Sequence, residues 1–128
     1  MPTIDAESFD VAPALRETAR HINESVPRPI GSIAILEGAV AYDRTLKYNI
    51  SFKDLTKEEV SSEFVWKQTE FLTDFVCTTP GMQVFVENKV TLKYAYHDKH
   101  GKPIVVITVD TRTCVREMPL ADDQRLTR

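Results

Sequence analysis

Two stretches of this chain alternate between apolar and polar side chains, and that alternation constrains the fold more than any other feature. In residues 45–52, Leu46, Tyr48, Ile50 and Phe52 interleave with Thr45, Lys47, Asn49 and Ser51. In residues 90–97, Val90, Leu92, Tyr94 and Tyr96 interleave with Thr91, Lys93, Ala95 and His97. A strand places successive side chains on opposite sides of a surface, so each stretch reads as a strand with one dry and one wet face. Thr45-Leu46-Lys47-Tyr48 recurs as Thr91-Leu92-Lys93-Tyr94. The same wet/dry alternation selecting the same residue types accounts for this more simply than two duplicated helix-plus-hairpin halves.

Each strand has a neighbour in sequence. Ile33, Ile35, Leu36 and Val40 precede the first, with Gly38 marking a bulge or bend. The Asp43-Arg44 connection fits a tight hairpin, although it lacks the Asn-Gly or Asp-Gly signal. The β-branched run 104–109 follows the second strand across the turn Asp98-Lys99-His100-Gly101.

Helical spacing fills the remaining segments. Leu15, Ala19, Ile22 and Val26 recur as one stripe, Pro13 suits the first turn, and Pro27-Arg28-Pro29-Ile30-Gly31 must end the helix. A first helix is therefore expected over residues 11–25. Thr56-Lys57-Glu58-Glu59 has the form of a capping box opening a second helix. Its stripe of Val60, Phe64, Phe71, Leu72, Phe75 and Val76 is expected to lie on the sheet. Thr79 and Pro80 open a short further piece that Asn88 can stop in a left-handed conformation.

The expected fold is α+β: a two-layer sandwich of a four-stranded antiparallel sheet with helices on one face, in the order α-ββ-α(α)-ββ. A chain of 128 residues supports a single domain, with an ordered core over about residues 9–115 and loose ends at 1–8 and 116–128. Sixteen basic against nineteen acidic residues leave a net charge of −3, which gives no general attraction to nucleic acid. Lysines alternate with tyrosines, so the aromatic set falls on the dry face and forms no base-stacking platform. The apolar runs are too short for a transmembrane segment.

Cys77 and Cys114 are the residues with most chemical scope. Cys77 leaves the second helix just before the second hairpin, and Cys114 follows its last strand, so the favoured reading is a disulfide. Two buried, unpaired thiols remain an alternative. A third is a Cys/His-dependent enzyme using Cys77 with His97 or His100. A thiolate at a helix C-terminus is disfavoured by the helix dipole, and no ligand-type Cys/His spacing is present. His97-Asp98-Lys99-His100 reads as a solvated hairpin tip and His21 as a surface or boundary residue. No cofactor, metal or catalytic residue is expected. Trp66 falls on the side of the second helix opposite the apolar stripe and, with Glu70 one turn on, marks a candidate protein-binding surface.

Taken in order, His21-Ile22-Asn23-Glu24-Ser25-Val26-Pro27, the strand carrying Tyr48, Cys77-Thr78-Thr79-Pro80, Tyr94-Ala95-Tyr96-His97-Asp98 with Gly101, and Cys114 form a pattern. It resembles that of a group of small bacterial envelope proteins, exported or membrane-anchored, with the spacing Cys-x-x-Pro … Tyr-x-Tyr-x-Asp-x-x-Gly … Cys. The resemblance implies a periplasmic or envelope location and supports the disulfide; it implies no activity. The chain as given shows no export segment, which is the expectation for a cytoplasmic protein or one already processed. The functional expectation is a non-enzymatic protein-binding or structural domain acting on another protein, an immunity-type inhibitor being one form of it. A homodimer is compatible with the sequence.

Overall fold

The computed structural model describes residues 10–114. The ends expected to be loose lie outside the described residues. In chain order the elements are α1 (Ala12–Asn23), β1 (Arg28–Ile30), β2 (Ala34–Tyr42), β3 (Thr45–Phe52), α2 (Ser62–Thr78), α3 (Gln83–Glu87), β4 (Thr91–His97) and β5 (Pro103–Asp110). Short 3-10 turns at Lys57–Glu59 and Pro80–Met82 precede α2 and α3.

The α+β class is present, but the sheet corrects the expected one in two ways. It has five strands in the order β1-β2-β3-β4-β5, and it is mixed, because β3 and β4 run parallel while the other neighbours are antiparallel. The extra strand, β1, comes from the segment whose prolines signalled only a break. Pro29 lacks an N–H, which an edge strand tolerates and an inner strand does not. The parallel pairing follows from the connection: the α2–α3 crossover returns the chain to start β4 beside the start of β3. The recurrent tetrapeptides consequently lie side by side in register, with Thr45, Leu46, Lys47 and Tyr48 opposite Thr91, Leu92, Lys93 and Tyr94.

The register shift at Leu36/Gly38 sets which side chains of β2 face inward. Without it, Val40 and Tyr42 would follow Leu36 into the core. The extra residue reverses the phase, so Ala39 is buried while Val40 and Tyr42 stay largely exposed. The Asn23 side chain at the end of α1 holds this bulge. Its Nδ2 donates to the Ala39 carbonyl at 2.9 Å, and its Oδ1 accepts from the Ala39 N–H at 2.8 Å. A Cβ on residue 38 would approach Asn23 Oδ1 to 3.2 Å, so glycine suits the contact. Asp43 and Arg44 make the two-residue turn, with Asp43 at a φ of 55°.

The dry face expected from the alternation is the core. Leu46, Ile50, Phe52, Leu92, Tyr94 and Tyr96 are buried together with Leu15 and Ala19 of α1 and Leu72, Val76 and Cys77 of α2. The capping box closes the 3-10 turn rather than α2: the Thr56 N–H donates to Glu59 Oε1 at 2.8 Å. The α2 N-cap is Ser61, whose Oγ accepts from the Phe64 N–H at 3.0 Å. After α3 the left-handed residue is Lys89, with φ 57°, and not Asn88.

Candidate functional site

Cys77 and Cys114 are joined in a disulfide, with Cα atoms 5.2 Å apart and a separation of 37 positions in sequence. Cys77 lies in the last turn of α2 and Cys114 just past β5, so the bond ties the crossover to the far edge of the sheet. Thr111, fully buried, reinforces the junction by donating from Oγ1 to the Val90 carbonyl at 2.7 Å. Both sulfurs are oxidised and buried. Cys77 therefore presents no thiol to His97 or His100, and the Cys/His enzyme reading has no nucleophile in this structure.

The hairpin tip also differs from expectation. Asp98 is only 1% exposed. Its Oδ1 accepts from the His100 and Lys102 N–H groups at 2.8 and 2.9 Å, and its Oδ2 accepts from the Lys57 N–H at 3.0 Å. Burial pushes the carboxyl up, but these three donors outweigh it and hold it below the usual carboxylate range. Asp98 thus clasps the β4–β5 turn to the 3-10 turn before α2, and its oxygens are occupied. His21 sits exposed on α1 between Glu17 and Glu24. Among the described residues no group of His, Cys, Asp and Glu is placed to hold a metal.

The described residues enclose a groove of about 620 Å³ that the sequence did not signal. Its floor is the dry face at Leu36, Tyr48, Ile50, Tyr94 and Tyr96. One wall is α2, through Gln68, Phe71, Leu72 and Phe75; the other is β1 with Gly31. A smaller hollow of about 150 Å³ shares Ile30, Ile50, Gln68 and Tyr96 with it and continues toward Phe52 and Phe64. Phe71 and Phe75 were expected on the sheet; instead they are 60% and 40% exposed and stack on each other at 6.1 Å. Helical periodicity marks an apolar face but does not distinguish a side chain pressed on the sheet from one standing over a gap. Here α2 meets the sheet through Leu72 and Val76, while the flank bearing Phe71 and Phe75 faces β1 across the groove.

Three tyrosines give this floor polar points. Tyr48 and Tyr94 stack at 5.0 Å, as do Tyr96 and Phe52 at 5.5 Å. The Tyr96 hydroxyl accepts from Gln68 Nε2 at 3.0 Å. Burial raises the pKa of all three, most strongly Tyr94, so each hydroxyl is protonated and able to donate at neutral pH. Trp66 is 59% exposed on α2, and Glu70 is exposed one turn away. Neither lines the groove.

No family model matches the chain. No curated protein matches it either. Solved structures do. A Pseudomonas aeruginosa protein described as secreted superposes with a TM-score of 0.71 at 19% identity, covering 88% of this chain and 99% of its own. The pilotin EpsS of the Vibrio vulnificus type II secretion system gives 0.67 at 8%, covering 81% and 91%. The type II secretion pilotin AspS of Vibrio cholerae gives 0.63 at 12%, covering 81% and 92%. At these identities what is shared is the fold: the chain has the architecture found in a secreted protein and in two secretion-system pilotins.

Proposed function

We propose that this chain is a non-enzymatic, envelope-associated protein-binding domain that receives an apolar segment of a partner in the groove between α2 and β1. The observation that carries the reading is the exposed Phe71–Phe75 pair standing over an open, mainly apolar trough. Two large aromatics on one flank of a helix are costly to leave in water and belong to the residue types enriched at protein interfaces. The pilotin and secreted-protein likenesses support a non-catalytic envelope role. The disulfide supports an oxidising compartment. Trp66 and Glu70 stand on the outer flank of α2 and extend the contact beyond the groove.

The test replaces Phe71 and Phe75 together by Asp and compares tagged wild type and variant in the host envelope fraction. Both side chains are exposed, so the variant is expected to melt as the wild type does. It is expected to lose the partner that the wild type retains, while Lys47→Asp on the open sheet face retains it. Retention by the double variant, or no protein retained by the wild type, contradicts the proposal.

A further inference from the structure

The groove is not uniformly apolar, and its lining carries unused donors. Tyr94 is only 8% exposed, yet among the described residues its hydroxyl makes no hydrogen bond. A buried hydroxyl without a partner is rare and unfavourable, and calls for an acceptor supplied from outside the fold. Tyr48, stacked on it, also lines the groove, and its hydroxyl has no partner among the described residues. Arg28 stands opposite Leu36 in β1, so its side chain is on the groove side of the sheet, and it has no ion-pair partner among the described residues. Arg28, Tyr48 and Tyr94 thus bring a guanidinium and two hydroxyl donors to the lining of one trough, which no carboxylate lines.

Resting on the groove reading above, we infer that the occupant is an amphipathic α-helix of a partner protein bearing an Asp or Glu beside its apolar stripe, whose carboxylate is received by Arg28, Tyr48 and Tyr94. Charge complementarity selects the acid, because Arg and tyrosine hydroxyls supply only donors to it. The lining selects the helix. An extended peptide would bring unpaired backbone N–H and C=O groups against Ile30, Leu36, Phe71 and Phe75. A helix satisfies its backbone internally and presents only side chains. Strand addition on the β1 edge is blocked by Pro29, at the centre of a three-residue strand.

The test is selection of a displayed library of short helical peptides on immobilised wild type and on Arg28→Glu. The wild type is expected to fix Asp or Glu at one position beside the apolar stripe, and Arg28→Glu to abolish that preference or reverse it to Lys or Arg. The winning peptide is expected to bind Tyr94→Phe, which keeps the ring and removes only the hydroxyl, about tenfold more weakly than wild type. The same consensus on both proteins, or one without an acidic position, overturns the acidic anchor while leaving groove docking in place. No binders, or winners that bind the Phe71→Asp/Phe75→Asp variant as tightly as wild type, overturn the groove reading beneath it. Dodecanoate binding more tightly than every selected peptide would assign these donors to a free amphiphile and overturn the protein partner.

Discussion

Asp98 shows how a single residue changes meaning once its surroundings are known. In sequence it sits between two histidines and a lysine and looks like a solvated tip; in the fold it is a buried acceptor for three backbone N–H groups. Because its folded pKa lies below the unfolded value, the stabilisation is present above the unfolded carboxylate range, near pH ~4, and is lost as pH falls through the lower folded value. Urea unfolding from neutral pH down to strong acid should therefore show a falling midpoint at the acid end. In Asp98→Asn the neutral-pH midpoint should be lower and that acid-end fall smaller. A variant with the wild-type midpoint and pH profile would show that the clasp contributes nothing.

At the scale of elements, α2 separates what packs from what binds. Leu72 is buried and Phe71 is exposed, although they are adjacent. Leu72→Ala should cost about 2–5 kcal/mol of stability, whereas Phe71→Ser should stay within about 0.5 kcal/mol of wild type. Equal losses measured by denaturant titration would place Phe71 in the core and close the groove. The same helix shows where the sequence stops being informative. Alternation in residues 45–52 and 90–97 located β3 and β4, and the turn residues located their hairpin partners, because those signals are local. Pro29 concealed β1, since a proline rejects an inner strand but not an edge. The capping box at Thr56 was real but closed a 3-10 turn, with Ser61 starting α2 five residues later. Phe71 and Phe75 had the periodicity of core residues; only the gap between α2 and β1 makes them groove walls. Trp66 was legible as an outward residue because it stands opposite the stripe.

Across the whole molecule the pairing of β3 with β4 is the feature local patterns could not reveal, since strand direction is set by the length and path of the crossover. The disulfide fastens that crossover to the end of β5. Closing a loop with 37 residues of separation should stabilise the fold by about 4 kcal/mol in the chain-entropy model. Replacing both cysteines by alanine should lower the unfolding free energy on that scale while the sheet persists by circular dichroism; an unchanged midpoint would mean that the bond does not constrain the unfolded chain. The central claim concerns the groove that this framework holds open, and site-specific photo-cross-linking in the host cell tests it most directly. A photoreactive residue at Phe75 should give one discrete adduct, mapped by mass spectrometry to an apolar helical segment of a partner, with none from the same group at Lys47. No adduct at position 75, or equal adducts at both positions, would contradict the assignment of the groove as the docking site.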